Sequence, residues 1–266
     1  MRYGKRTTVK RSFVIQGRVL RALLMREIIT RYGRRNIGFM WLFVEPLMMT
    51  LLITILWSVA RASSYSTLNI IAFIITGYPI MMMWRNSSNR AIGAISANTA
   101  LLYHRNVLVL DTLLARMLLE ISGATIAQMS LIILLIVMGL IPMPNDLFYM
   151  LMAWALMAMF AIGLGLIIAS IAQYFEPFGK IWSTLSFISI PLSGAFFFIH
   201  NLPATAQQFL LWFPMIHGTE MFRKGYFGAS VTTYENPYYI FVFNLILIFI
   251  GLIMVRNFSK GLTPND

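Results

Sequence analysis

Two long stretches without a charged side chain constrain this sequence more than any other feature. Leu147 to Ala172 and Tyr238 to Val255 are almost entirely apolar and contain no Asp, Glu, Lys or Arg. A helix needs about 20 mostly apolar residues to cross the hydrocarbon core of a bilayer. Each stretch therefore predicts a membrane-spanning helix.

Composition extends this prediction to the whole chain. Of 266 residues, 59% are hydrophobic and 11% are charged, and the mean hydropathy is +0.75. A soluble domain of this length cannot hide so much apolar surface in one core. We therefore predict an all-α polytopic membrane protein with six transmembrane helices, at residues 37–60, 68–84, 115–140, 147–172, 181–199 and 238–256.

Proline and glycine interrupt two of these six segments. Gly77 and Pro79 lie in the second segment, and Pro191 with Gly194 lies in the fifth. Both pairs predict kinks or partial unwinding. The loop before the last segment has a short apolar core from Phe209 to Ile216, which predicts two re-entrant half-helices dipping back from one surface.

The basic residues predict the orientation of the chain. With the N-terminus in the cytoplasm, eighteen of the 21 Lys and Arg residues face inward and only Arg61, Arg223 and Lys224 face outward. This asymmetry follows the positive-inside rule. Both termini are thus predicted to be cytoplasmic, and the net charge of +12 indicates topology rather than a nucleic-acid partner. The arginine-rich first thirty residues do not resemble a secretory signal peptide.

The organisation follows from these segments. Residues 1–36 form a cytoplasmic N-terminal region, residues 37–256 form a single six-helix transmembrane domain, and residues 257–266 form a cytoplasmic tail. In the N-terminal region, Arg18 to Tyr32 predicts an amphipathic helix along the inner membrane surface. Two interpretations stay open: an anchor held by anionic lipid at about 1 kcal/mol per basic residue, or one wall of a docking site for a cytoplasmic partner.

A second cytoplasmic helix is predicted after Trp84. Ser87, Ser88 and Asn89 are candidate N-caps for a short helix that ends near Tyr103. It is either a surface on which a partner pushes or an ordinary interfacial loop helix. Arg116 and Glu120 follow as an i,i+4 pair that enters the next span.

Residues for catalysis are scarce. The chain lacks a GxxxxGK[ST] phosphate-binding loop, and its three histidines and nine acidic residues are dispersed. With no cysteine, it also lacks disulfides and thiolate metal sites. We therefore expect no enzyme activity, no metal site and no cofactor bound by this chain.

One acidic residue lies at an unusual depth. Glu45, followed by Pro46, lies about 15 Å beyond Arg35 along the first predicted span. A carboxylate facing lipid there is costly, and Pro46 leaves a helical carbonyl without its donor. Our hypothesis is that Glu45 faces a wetted conduit, and the alternative is a neutralised carboxyl packed in the core.

Several of these segments together resemble a known family. "RYGRRNIGFMWLFVEPL" opens the first span, "GYPIMMMWRNSSNRAIGAI" leaves the second, and the half-helix loop precedes the last. In order and topology they resemble the membrane subunits of type-2 ABC exporters, and most of all the capsular polysaccharide export permeases, relatives of the O-antigen and teichoic acid exporters. The resemblance covers nearly the whole chain.

The resemblance implies a function and a set of partners. Such subunits form a homodimer bound to two cytoplasmic ATPase subunits, which hold ATP and Mg, and move a lipid-linked polysaccharide across the bacterial inner membrane. By the resemblance, Arg18 to Tyr32 is the interface helix, residues 87–103 contain the coupling helix, residues 173–180 make a second cytoplasmic contact, and residues 202–226 form outward gate helices.

Individual residues also take roles from the resemblance. The residues implied in coupling to the ATPase are Arg26, Arg31, Arg34, Ser88, Asn89, Arg90, Ser96, Asn98 and Glu176. The residues implied as conduit-lining are Trp41, Glu45, Tyr78 and Trp84, and those of the outward gate are Phe197, Phe198, Trp212, Phe213 and Tyr226. Aromatic walls suit sugar rings, although Trp and Tyr also crowd the membrane interfaces of unrelated proteins.

Energy for transport must come from outside this chain, because it has no nucleotide site. Six helices make a poor conduit, and the sequence shows no internal duplication, so two copies around a two-fold axis are expected to enclose the path. Two rivals remain open: an ABC exporter of another lipid-linked glycan, a lipid or a small drug, and an ion-coupled secondary transporter. The sequence leaves open the sugar repeat, the lipid anchor, the threading direction, any periplasmic adaptor, and which aromatic residues contact sugar.

Overall fold

Ten α-helices make up most of the described chain. A computed structural model describes residues 9–32, 36–60, 68–102 and 107–262; within these ranges, side chains are described from residue 14 to 260, except 31, 32, 36–39, 41–43, 45, 46, 57, 58 and 60. No strand occurs in these ranges. The helices are α1 (Val9–Tyr32), α2 (Asn36–Ala60), α3 (Ile70–Ile92), α4 (Thr99–Leu102), α5 (Val109–Val137), α6 (Leu147–Tyr174), α7 (Phe178–Ile188), α8 (Ala204–Leu210), α9 (Pro214–Phe227) and α10 (Pro237–Leu262).

Three of the described helices are long and apolar enough to cross a membrane. They are α5 with 29 residues, α6 with 28, and the stretch Pro237–Lys260 of α10 with 24. A shorter apolar stretch, Leu47–Leu56, lies within α2. The all-helical, membrane-type architecture is thus confirmed, and the helix that contains the predicted third span begins earlier than that prediction, at Val109.

Helix α6 lies at the centre of the bundle, packed against α3, α9 and α10. Glycines allow its close approach to α10. A Cβ at Gly163 would lie 3.1 Å from the backbone nitrogen of Ile248, and one at Gly251 would lie 2.7 Å from Leu166 Cβ. The contact between these two helices therefore depends on the absence of side chains at both positions.

Helix α3 stays helical through Gly77 and Pro79, so of the two predicted outcomes, a kink or partial unwinding, the unwinding is wrong. Pro79 has no backbone N–H, which removes the usual donor to the carbonyl of Ile75. Gln128 of α5 replaces that donor, with a Nε2 to oxygen distance of 2.8 Å. A side chain from a neighbouring helix thus satisfies the carbonyl that proline frees.

Helix α3 also continues beyond its predicted end, to Ile92. Ser87, Ser88 and Asn89 therefore lie inside α3, and the prediction that they cap a new helix is wrong. Ser88 Oγ and Asn89 Nδ2 instead bond to the carbonyl of Arg85, at 3.0 and 2.9 Å. After Gly93 the chain forms a 3₁₀ turn at Ser96–Asn98 and the single-turn helix α4.

The fifth predicted segment is helical only in its first half. Helix α7 ends at Ile188, and a 3₁₀ turn follows at Pro191–Ser193. Gly194 adopts a left-handed conformation with φ +73°, which glycine reaches without the steric cost of a Cβ. The unwinding predicted at Pro191 and Gly194 is therefore confirmed, and it leaves the carbonyls after α7 without helical partners.

Helices α8 and α9 occupy the loop before the last predicted span. Helix α9 lies beside the first part of α6, because a Cβ at Gly218 would meet Met157 and one at Gly225 would meet Met150. The N–H of Asp146, the N-cap of α6, donates to the carbonyl of Gly225 at 2.7 Å. The C-terminal end of α9 therefore lies beside the N-terminus of α6, and the beginning of α9 lies further along α6.

Candidate functional site

A polar cluster joins α1 to the connection between α3 and α5. We call it the α1–α5 cluster; it consists of Arg26 and Glu27 on α1, Asn98 in the 3₁₀ turn, and Arg116 on α5. Buried Asn98 accepts a hydrogen bond from Arg26 and donates to Glu27 Oε1 at 3.1 Å. Its Nδ2 also donates to the carbonyl of Ala94 at 2.8 Å.

Arg116 and Glu27 form the ion pair of this cluster. Arg116 Nη2 lies 3.2 Å from both carboxylate oxygens of Glu27, and its Nε lies 3.3 Å from Oε2. The side chains of Arg116 and Glu27 are only 19% and 12% exposed. Charge-assisted bonds at such partly buried positions hold two helices in a defined relation.

Two further contacts fix the same end of the bundle. Gln16 of α1 donates to the buried carboxylate of Asp111, whose other oxygen accepts from the N–H of Leu108 at 2.9 Å and so caps α5. Arg90 Nε of α3 lies 3.6 Å from Glu120 of α5. Arg116 and Glu120, which the sequence predicts as a pair within α5, each contact a different helix.

The predicted coupling residues divide into two groups in the structure. Arg26, Arg90, Ser96 and Asn98 lie at the end of the bundle that carries the α1–α5 cluster, and exposed Glu176 lies in the turn between α6 and α7. Ser88 and Asn89 instead contact α7, through Trp182 Nε1 at 3.3 Å and Ser186 Oγ at 3.1 Å. Arg34 and the side chain of Arg31 lie outside the described residues.

A second polar cluster lies on α9, at the other end of the bundle. We call it the α9 cluster; it consists of His217, Glu220 and Arg223. Arg223 is completely buried. Its guanidinium donates to the carbonyls of Gly194, Ala195 and Phe197, with distances of 2.7 Å to the first two. These are carbonyls of the unwound stretch after α7, so one side chain on α9 replaces the missing helical donors.

Two aromatic rings flank the same guanidinium. Its central carbon lies 4.2 Å from the ring centre of Phe73 and 4.7 Å from that of Phe198. Such cation–π contacts gain strength when the cation is desolvated. Gly77 of α3 leaves the necessary space, because a Cβ there would lie 2.7 Å from Arg223 Nη2 and 2.9 Å from Ala195 Cα.

Glu220 and His217 connect α9 to the segments on either side of it. Glu220 is fully buried and accepts from the backbone N–H of Ile199 at 3.5 Å and of Tyr234 at 3.3 Å. His217 Nδ1 accepts from the N–H of Asn236 at 3.1 Å, so its Nε2 carries the proton donated to the Leu211 carbonyl at 2.8 Å. The cluster thus holds the whole loop on α9.

The predicted gate residues surround this cluster unevenly. Phe198 is buried against Arg223, and buried Tyr226 donates its hydroxyl to the carbonyl of Pro142 at 2.7 Å. Phe197 supplies a carbonyl to Arg223, Phe213 contacts Phe209 with ring centres 5.4 Å apart, and Trp212 is 77% exposed.

The predicted conduit residues are buried where the structure describes them. Tyr78 packs against Phe196 with ring centres 6.3 Å apart, and Trp84 meets Phe160 edge-on at 6.1 Å. The side chains of Trp41 and Glu45 lie outside the described residues. For a conduit to run along Tyr78 and Trp84, the helices that cover these two residues would therefore have to move apart.

The sequence did not single out the α9 cluster. Arg223 entered the sequence analysis only in the distribution of basic residues, as one predicted to face outward. His217 entered it only as one of three dispersed histidines. The available signal was a Glu and an Arg spaced three residues apart within a loop of aromatic and small residues. That spacing places both on one face of a helix, but their partners are backbone groups that no side-chain pattern reveals.

The family of this chain follows from its similarity to known proteins. The family model described as ABC-2 type transporter matches residues 18–227. The chain is 65% identical over 264 residues to the capsule polysaccharide export inner-membrane protein BexB of Haemophilus influenzae, covering 99% of this chain and 100% of the relative. It is 66% identical over 259 residues to the corresponding protein CtrC of Neisseria meningitidis serogroup B, covering 97% and 98%.

A more distant relative extends the comparison. The polysialic acid transport protein KpsM of Escherichia coli is 26% identical over 250 residues, covering 94% of this chain and 97% of the relative. Since the family model spans most of the chain and two relatives match it from end to end, this chain belongs to the ABC-2 type transporter family of membrane proteins.

Proposed function

We propose that this chain is the membrane permease subunit of an ATP-driven exporter that moves lipid-linked capsular polysaccharide across the bacterial inner membrane. The observation that carries the proposal is the end-to-end similarity, at 65% and 66% identity, to two capsule polysaccharide export inner-membrane proteins. The apolar helices α5, α6 and α10 support an inner-membrane location.

The proposal includes six spans with both termini in the cytoplasm. The eighteen-to-three distribution of basic residues supports this orientation. It places the α1–α5 cluster at the cytoplasmic surface and the α9 cluster toward the outer surface. The domain boundaries follow, with residues 1–36 and 257–266 cytoplasmic and residues 37–256 forming the membrane domain.

In this proposal the α1–α5 cluster receives the movement of the ATPase. Helix α1 serves as the interface helix, and the 3₁₀ turn with α4 lies within the coupling segment 87–103. Because Glu27 contacts both Asn98 and Arg116, displacement of the coupling segment acts on α1 and α5 together. ATP and Mg are held by the partner ATPase subunits, and this chain hydrolyses nothing.

Helices α8 and α9 form the outward gate of the proposed exporter. The α9 cluster binds the unwound stretch after α7, so α9 and that stretch move as one unit. Helix α9 packs beside α6 and does not cross the full thickness of a bilayer. This supports a re-entrant arrangement. Two copies of the chain enclose the conduit, with Trp41, Glu45, Tyr78 and Trp84 as candidate lining residues.

The decisive experiment combines deletion with reconstitution. Deleting the gene should remove polymer from the cell surface and cause lipid-linked polymer to accumulate inside, and a plasmid copy should restore export. The purified chain should copurify with an ATPase whose hydrolysis increases when lipid-linked polymer is added. Stimulation only by small amphiphiles would favour a drug or lipid exporter, and transport driven by an ion gradient without an ATPase would contradict the proposal.

A further inference from the structure

Arg85 differs from three other arginines of the described bundle, which are exposed Arg90, half-buried Arg116 and buried Arg223. Arg90 and Arg116 lie near carboxylates of Glu120 and Glu27, and Arg223 binds three carbonyls. Arg85 has no carboxylate within ion-pair distance among the described residues, although it is half-buried and its Nε is shielded from solvent. Among the described side chains, its guanidinium contacts Met82 Sδ, 4.0 Å from Nη1, and the ring of Phe187, and neither carries a negative charge.

The depth of Arg85 makes an unpaired cation costly. Asn69 caps α3 and donates to the carbonyl of Leu140, in the connection between α5 and α6. Arg85 lies sixteen residues further along α3, which is about 24 Å from that end. In the proposed orientation this depth is the inner part of a hydrocarbon core about 30 Å thick. Cations at such depths are usually paired or functional.

The surroundings of Arg85 are polar on one side and aromatic on the other. Its guanidinium carbon lies 5.8 Å from the ring centre of Phe187 on α7. Asn89, one turn further on the same face of α3, donates to Ser186 Oγ at 3.1 Å, and its own Oδ1 is buried without a partner in the described part of the chain. Trp182 donates to Ser88 on the same face.

These contacts fix α7 against α3 and hold the guanidinium at the edge of the contact. A planar guanidinium supported on one face by an aromatic ring presents its N–H fork to an oxyanion.

We propose that Arg85 binds an oxyanion at the membrane-embedded end of the exported substrate, either the phosphate that joins lipid to glycan or an acidic group on the first sugars. This inference rests on the proposed function and adds a recognition site to it. It places substrate contact at the inner half of α3, beside α7. Phe187 acts as the positioning residue for the guanidinium.

The test uses the complex of this chain with its ATPase partner, in nanodiscs of phosphatidylcholine. ATP hydrolysis is measured against the concentration of added lipid-linked polymer extracted from cells. Arg85→Gln should raise the half-maximal polymer concentration about 10- to 100-fold, the range expected for losing a hydrogen bond to a charged group. Hydrolysis without polymer should be unchanged, which shows that the variant folds and binds its partner.

Two further variants control the measurement. Arg85→Lys keeps the charge without the planar fork and should give an intermediate response. Arg256→Gln removes an exposed arginine near the end of α10 and should respond like the unmodified complex. An Arg85→Gln complex with the unmodified response to polymer would overturn the inference and leave the proposed function intact. If even the unmodified complex ignores polymer, the proposed function fails first.

Two modified probes identify the source of the oxyanion. If polymer freed from its lipid still stimulates hydrolysis in an Arg85-dependent manner, the group lies on the glycan; if only the lipid-linked form does so, it is the linking phosphate. Both results support the inference. A third measurement omits polymer and replaces phosphatidylcholine by phosphatidylglycerol in the nanodiscs. If Arg85→Gln changes ATP hydrolysis under these conditions, Arg85 binds bulk lipid and the inference is overturned.

Discussion

Gln128 of α5 donates a hydrogen bond of 2.8 Å to the carbonyl of Ile75, the group that Pro79 leaves without a helical donor. The two helices are thus joined at a point where α3 carries an unavoidable defect. Gln128 is 1% exposed, so no water is expected to replace it. The presence of the polar Gln128 side chain in an apolar helix is explained by the Ile75 carbonyl of α3, which lacks a helical donor.

This relationship predicts that Gln128→Leu destabilises the protein through Ile75. An unpaired buried carbonyl costs about 1 to 3 kcal/mol. In a Pro79→Ala background, residue 79 regains an N–H that can serve the same carbonyl, so the cost of Gln128→Leu should fall. Thermal unfolding of the four proteins in detergent measures the difference. Equal costs in both backgrounds would contradict this account.

The Glu27 and Arg116 pair predicts a charge-reversal rescue. Glu27→Arg or Arg116→Glu leaves two like charges at partly buried positions and weakens the docking of α1 on α5 by about 1 to 3 kcal/mol. Each single variant should therefore reduce surface polymer and recovery of the copurified ATPase. The double variant should regain part of both, because it restores the opposite charges.

Arg21→Gln is the matched control for that measurement, since Arg21 is an exposed arginine on the same helix. It should leave both readings unchanged. Additive losses in the double charge-reversal variant would show that the pair has no role in coupling.

Gly77 predicts a steric effect at the crossing of α3 with the stretch after α7. Gly77→Ala places a methyl group against Ala195 and Arg223, and backbone atoms cannot move aside as a flexible side chain can. We expect a loss of about 1 to 3 kcal/mol, typical of overpacking, seen as a lower thermal midpoint. Gly17→Ala is the control, because nothing lies within 4 Å of a Cβ there.

In contrast, Gly17→Ala should be neutral or slightly stabilising, since alanine is the better helix former. A midpoint for Gly77→Ala at or above that of Gly17→Ala would show that the contact between α3 and Ala195 is looser than the structure indicates.

Arg223 predicts that the loop opens when its guanidinium is removed. Arg223→Met leaves the carbonyls of Gly194, Ala195 and Phe197 without this donor, and Arg223→Lys cannot reach all three with one ammonium group. The chain has no cysteine, so a single Ser193→Cys at a fully buried position reports opening. Its maleimide labelling should increase at least about tenfold in both variants, equivalent to about 1.4 kcal/mol.

Thr205→Cys, at an exposed position of α8, should be labelled equally with and without Arg223. Unchanged protection of the cysteine at 193 in Arg223→Met would show that Arg223 does not hold the stretch.

The hypothesis that Glu45 lines the conduit leads to a further prediction. If its carboxylate faces water in the assembled exporter, Glu45→Gln should reduce export, and a cysteine at position 45 should react with a water-soluble maleimide. A cysteine at neighbouring Val44 should react more slowly, because adjacent helical side chains point about 100° apart. Normal export by Glu45→Gln together with an unreactive cysteine at 45 would remove Glu45 from the conduit.

The sequence by itself determined the apolar helices and the place where one of them breaks. Helices α6 and α10 follow from uncharged stretches long enough for a bilayer, and the unwinding after α7 follows from Pro191 and Gly194. Both properties are local, because a span needs only enough consecutive apolar residues and a break needs only residues that cannot continue the helix.

Only the tertiary structure decided how the polar groups are satisfied. Ser87 to Asn89 looked like a helix start, but α3 continues through them because the side chains of Ser88 and Asn89 find partners in Arg85 and α7. Pro79 looked like a break, but Gln128 supplies the missing donor across 53 residues of sequence. Arg116 meets Glu27 across 89 residues, and Arg223 binds backbone carbonyls that every residue carries. Such pairings depend on which helices pack together, and hydropathy and helix signals measure only what each segment does alone.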